Sequence, residues 1–167
     1  MKIAITLLTV SLTAASAAAQ IAAPVRHVAG RSVGGGFHPV AGTQFTEETV
    51  TLKFGPDDTA PDFMIDFITR IADHRPAPPG VVDLIVTELH TADDRTPAMA
   101  LRADDRTLPL PTRLHGRRSI ATTMTFEDFE KLIASTIIVE HAFDADLEFS
   151  AGQIRMLRAA VDKWMGR

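Results

Sequence analysis

Ile120-Ala121-Thr122-Thr123-Met124-Thr125 runs without a break into Phe126-Glu127-Asp128-Phe129-Glu130-Lys131-Leu132-Ile133-Ala134-Ser135. The apolar period changes inside this stretch. Residues 120–125 read as a strand. From 126 onward, Phe126, Phe129, Leu132 and Ile133 fall on one face of a helix ending near Ser135. Thr125 opens a Thr-x-x-Asp sequence, so its hydroxyl is placed to cap that helix. A strand that becomes a helix with no linker, among further strands, points to an α+β chain.

Toward the C-terminus, residues 136–143 return to strand character. Asp144-Ala145-Asp146 reads as a tight turn into Leu147-Glu148-Phe149. Ser150-Ala151-Gly152-Gln153 is a capping box, with Ser at the cap and Gln three residues on. Ile154, Leu157, Val161 and Trp164, with Met165 beside them, form the apolar stripe of a closing helix. Arg155, Arg158, Lys163 and Arg167 place positive charge toward the end where the helix dipole favours it.

Toward the N-terminus, Thr49-Val50-Thr51-Leu52-Lys53-Phe54 alternates with period two, and Gly55-Pro56-Asp57-Asp58 ends it. Residues 63–71 fit two templates: Phe63, Met64, Phe67, Ile68 and Ile71 make a helical stripe, and Phe63, Ile65, Phe67, Thr69 and Ile71 make a strand face. The strand is favoured, because its aromatic and β-branched residues alternate and its neighbours read as strands. Residues 72–80, with Pro76, Pro78 and Pro79, form a loop, and 81–89 read as a central strand. Ala92-Asp93-Asp94-Arg95-Thr96 recurs as Ala103-Asp104-Asp105-Arg106-Thr107. Asp-Asp favours turns, so the repeat reads as two similar turns bracketing a strand at 97–102 rather than as a duplicated catalytic motif. Pro109 and Pro111 cannot donate to a ladder, which places 108–111 at a sheet edge. The expected fold is a curved antiparallel sheet, sandwich or open barrel. A short helix near 126–135 and a C-terminal helix over 151–165 pack on it.

Residues 1–19 read as a secretory signal peptide: Lys2 as the charged start, an apolar run over 3–10, and small residues Ala17-Ala18-Ala19 before Gln20. The alternative, an uncleaved anchor, is disfavoured because the second half of the uncharged stretch is alanine, serine and threonine. Residues 20–46, with Gly34-Gly35-Gly36, are expected to be flexible or partly ordered, with room for one short strand over 37–40. Residues 47–167 are expected to form a single α+β domain. No later segment is apolar enough to span a membrane, so the expected location is periplasmic or secreted.

Composition excludes several chemistries. The chain has no cysteine, which removes thiol catalysis, thiolate zinc sites, disulfides and a lipid anchor. Its formal net charge is −4, against a nucleic-acid partner. Six histidines (His27, His38, His74, His90, His115, His141) show no metal-binding spacing, and the acidic pairs match no calcium loop. No metal or cofactor is expected. Gly30-Arg31-Ser32-Val33-Gly34 matches the letters of a nucleophile elbow, but such an elbow needs a strand before the serine and a helix after it. The glycine triplet lacks the lysine of a phosphate loop.

The candidate ligand-binding residues are His141 and the basic turn with Arg113, Arg117 and Arg118; no catalytic residue stands out. Val139, His141 and Phe143 share a face of their strand, which would bury the histidine if that face is the core. The favoured expectation is a non-enzymatic exported bacterial domain that binds a small apolar ligand or an envelope protein. The alternatives are a small periplasmic hydrolase with a His/Asp site assembled by the fold, and a structural or envelope-assembly protein.

Overall fold

The computed structural model describes residues 26–39, 45–57, 59–72, 79–90 and 98–167, with only the backbone described over most of 26–39. The expected signal segment 1–19, the first copy of the repeat at 92–96 and His74 lie outside the described residues. Ten strands and two helices follow in the order β1 (Arg26–Pro39), β2 (Phe45–Phe54), β3 (Phe63–Ala72), β4 (Val81–Glu88), β5 (Met99–Ala103), β6 (Arg106–Leu108), β7 (Arg113–Leu114), β8 (Ser119–Thr125), α1 (Phe126–Ala134), β9 (Ile138–Ala142), β10 (Ala145–Glu148) and α2 (Ala151–Trp164).

The strands form one sheet in the order β6-β5-β9-β10-β1-β2-β3-β4-β8-β7, curled into a half-barrel with both helices packed on it. The α+β class is as expected. The 63–71 ambiguity resolves to strand: β3 pairs along its length with β2 and then β4. One pairing departs from a purely antiparallel sheet, because β1 runs parallel to β10 from Arg26↔Ala145 to Ala29↔Glu148.

β1 is also longer than the short strand expected over 37–40. Its remainder pairs antiparallel with β2 from Gly30 to Pro39, glycine triplet included. The hydrogen-bonding partner β2 imposes extended backbone on residues whose own propensity is low. The register shifts between Gly30 and Ser32, an irregularity that bends a strand and raises its twist. Here β1 passes from one half of the sheet to the other. Gly30 is buried, and a Cβ on it would run into the Gln153 side chain of α2. The missing side chain lets α2 sit against the bend.

Alternation fills the inner face. Leu52, Phe54, Phe63, Ile65, Phe67, Leu84, Val86 and Ile120 are fully or almost fully buried from one half of the sheet, and Leu101, Ile138 and Leu147 from the other. Phe129 of α1 lies at the centre, 5.2 Å from the Phe67 ring and 5.9 Å from the Trp164 indole, in tilted contacts. Phe149 joins them, 5.5 Å from Phe54.

Both helix starts are capped as expected. Asp128 N–H donates to Thr125 Oγ1 at 3.1 Å, and Gln153 N–H donates to Ser150 Oγ while Ser150 N–H donates to Gln153 Oε1. Arg158 does more than complement its own helix dipole. Its guanidinium donates to the carbonyls of Ile133 (2.6 Å) and Ser135 (3.0 Å), satisfying acceptors left over at the end of α1. Trp164 Nε1–H and Lys163 Nζ both donate to Glu48 Oε2 at 2.9 Å, fastening the end of α2 to β2.

Candidate functional site

Strand β9 separates two very different chemistries on its two faces. Ile138, Glu140 and Ala142 point inward; in the ladder Glu140 lies between Leu101 of β5 and Leu147 of β10, both fully buried. Val139 and His141 point outward, so the phase is opposite to one that would bury the histidine: His141 is 37% exposed and Glu140 is 0% exposed. Neither carboxylate oxygen of Glu140 has a hydrogen-bond partner among the described residues. Burial pushes its carboxyl well above the ordinary glutamate range, so it is held as the neutral acid.

On the outer face, Ala100, Arg102, Thr107, Val139, His141 and Asp146 line an open hollow of about 230 Å³. Four short strands, β5, β6, β9 and β10, and two tight turns build it. The β9–β10 turn is Phe143-Asp144, both at positive φ (51° and 63°), which sets Ala142 opposite Ala145 and His141 opposite Asp146. His141 Nδ1 then lies 2.8 Å from Asp146 Oδ1. An ionised carboxylate only accepts, so it fixes the proton on Nδ1 and leaves Nε2 as the atom offered to a ligand. Ala100 and Val139 supply an apolar floor. Arg102 lies exposed, with no ion pair or hydrogen bond among the described residues, and Thr107 is its cross-strand neighbour.

The β5–β6 turn is held by the second copy of the repeat. Asp104, at φ 52°, accepts N–H bonds from Ile137 (2.9 Å) and Thr136 (3.0 Å). These bonds, the Ile137 one first, hold its carboxyl below the ordinary aspartate range. The turn is thereby tied to the segment that leads from α1 into β9.

Of the residues expected at a site, His141 alone lies in this hollow. Arg113, Arg117 and Arg118 belong to the β7–β8 hairpin at the opposite end of the strand order. There Arg113 lies 3.8 Å from Asp83, Arg118 donates to the Leu89 carbonyl at 2.9 Å, and Arg117 is exposed. His90 and His115 are exposed on other segments and do not join His141, whereas His27 lies opposite Asp146 in the β1–β10 ladder. No group of metal-ligating side chains occurs among the described residues. The Gly-x-Ser-x-Gly letters lie wholly inside β1, without the turn and helix of a nucleophile elbow.

Sequence reasoning missed Arg102, Thr107, Asp146 and the inward Glu140. The signal was present in the spacing of His141 and Asp146, which face each other across a two-residue turn. Placing that turn one residue late, at 144–146, hid the register.

A second concavity of about 320 Å³ lies between the helices, lined by Glu130, Ile133, Ala134, Arg158, Val161, Asp162 and Arg167. Arg158 is committed there to the end of α1, and Glu130 to Arg167 at 3.7 Å. The β9 hollow is therefore the better candidate. Comparison with protein-family models, with curated proteins and with solved structures finds no match to this chain.

Proposed function

We propose that this chain is an exported, non-enzymatic binding domain whose site is the outer hollow of β5, β6, β9 and β10. The observation that carries the reading is the make-up of that hollow: an apolar floor, an uncommitted guanidinium at Arg102, and an imidazole oriented by Asp146. Such a surface suits a small ligand, or a partner side chain, with an apolar body and one anionic end. The outward-facing cation is the specificity element, and the floor removes apolar area from water.

The His141–Asp146 pair also favours the hydrolase alternative, because it matches the base and orienter of a catalytic triad. Against that reading, no hydroxyl donates to or accepts from the imidazole among the described residues. The export part of this reading rests on the signal-like sequence of residues 1–19 alone. No helix among the described residues is long and apolar enough to cross a membrane.

Native mass spectrometry of chain recovered from an exported fraction tests both parts. The expected result is an N-terminus near residue 20 and a bound anionic small molecule. Arg102→Ala should lower its occupancy by at least about tenfold, the scale of one charge-assisted hydrogen bond. Ester or amide turnover that disappears in His141→Ala would replace the binding reading with the hydrolase.

A further inference from the structure

We propose that the β7–β8 hairpin is a contact surface for a bilayer rich in anionic lipid. β7 is the last strand of the sheet, so its hairpin projects from an edge. Residues 113–118 are all exposed, and Leu114 is 66% exposed, the highest value among the exposed large hydrophobic residues. Arg113, His115, Arg117 and Arg118 flank it in sequence, in a chain of net charge −4. An exposed leucine on the edge strand, beside a turn that carries Arg117 and Arg118, matches a bilayer interface: leucine enters the acyl boundary and arginines meet phosphates.

The hairpin is held in a fixed pose. Gly116, at φ 111°, makes the turn, and His115 N–H donates to the Ser119 carbonyl at 2.8 Å. The Arg118 bond to the Leu89 carbonyl and the Arg113–Asp83 pair anchor it to β4. Arg117 makes no contact of that kind among the described residues. An acidic side chain, Asp83, lies against the patch, 3.8 Å from Arg113 on the outer face. A nucleic acid fits less well, since the hairpin carries no Phe, Tyr or Trp on which bases stack and the rest of the chain is acidic.

Vesicle flotation of the full chain tests this. Vesicles of phosphatidylcholine alone are compared with equimolar phosphatidylcholine and phosphatidylglycerol, at low and high salt. Comparing chains of equal length cancels any contribution of residues 1–25. The expected result is several-fold greater flotation with the anionic vesicles, lost at high salt. Arg117→Glu should reduce it about tenfold, and Leu114→Ser should also reduce it. Arg155→Glu, the same charge change on exposed α2, should leave it unchanged. Equal flotation with both vesicles, no flotation with either, or equal sensitivity to Arg155→Glu and Arg117→Glu would each overturn the proposal.

Discussion

The half of the sheet built from β2, β3, β4 and β8 and the half built from β5, β9 and β10 solve the same folding problem differently. In the first, the strands have 7 to 10 residues, and β3 and β4 alternate between core and surface along most of their length. Its adjoining turns use Gly55 and Gly116 where φ is positive. Outer-face polar groups pair across strands: Thr51 donates to Asp66, Thr123 to Asp83, and Thr87 bonds Ser119. In the second, strands have 4 or 5 residues. Its turns hold Asp104, Phe143 and Asp144, the three non-glycine residues with positive φ among those described. A neutral glutamic acid is buried behind the hollow.

Left-handed backbone at a phenylalanine is sterically costly, and a buried polar group without a partner is costly too. Such features persist where surrounding structure enforces them, and they concentrate at functional sites. On the proposed reading, the long-stranded half stabilises the domain and holds the short-stranded half, with its costly turns and buried acid, in the conformation that forms the candidate hollow.

Substitutions can break this contrast from either side. The largest effect is expected in the long-stranded half. Phe67→Ala removes a fully buried ring that touches Phe129 and Phe149 and should cost about 3–5 kcal/mol in urea unfolding. A cost below about 1 kcal/mol would mean that this half does not carry the stability.

Glu140→Leu should act in the opposite direction, raising stability by about 1–3 kcal/mol by removing the unpartnered acid. It should also change the pH dependence. The folded state keeps the Glu140 proton, while the unfolded chain gives it up above about pH 4.5. Unfolding therefore releases a proton, and wild-type stability should fall as pH rises above that value until the raised folded pKa is reached. The slope from this group approaches about 1.4 kcal/mol per pH unit. In Glu140→Leu that component should vanish; identical pH profiles for the two proteins would contradict a buried neutral acid.

The smallest effect is expected at Asp104, with the reverse sign. Its folded carboxyl titrates below the ordinary range, so its contribution is present above the unfolded aspartate pKa and is lost as pH falls through the folded value. Asp104→Ala should lower the melting temperature at neutral pH and bring it closer to wild type in acid. A variant that melts with wild type at neutral pH would show that the β5–β6 turn does not depend on the Thr136 and Ile137 bonds.

Legibility in the sequence followed the same division. Where residue type, period and turn chemistry agree, as over 49–54, over 81–88 and at both helix caps, the elements lie where the sequence places them. The helical alternative for 63–71 failed because β2 and β4 flank that segment on both sides, which periodicity alone does not reveal. The short-stranded half was harder to read for identifiable reasons. Phe143 at φ 51° violates the rule by which turns are found, so the hairpin register was placed late. Glu140 violates the rule by which cores are found, so the neighbouring residues Val139 and His141 became the candidates for the inner face. The site itself joins β5, β6, β9 and β10, and no local motif spells out such an assembly.

Native-state hydrogen exchange tests the division most directly. The amides of β3 between Ile65 and Thr69 should be protected close to the global unfolding free energy. Those of β9 between Val139 and His141 should exchange through a smaller opening, and Glu140→Leu should narrow the gap between the two. Equal protection of β3 and β9 in the wild-type chain would contradict the division into a stabilising half and a strained half that carries the candidate site.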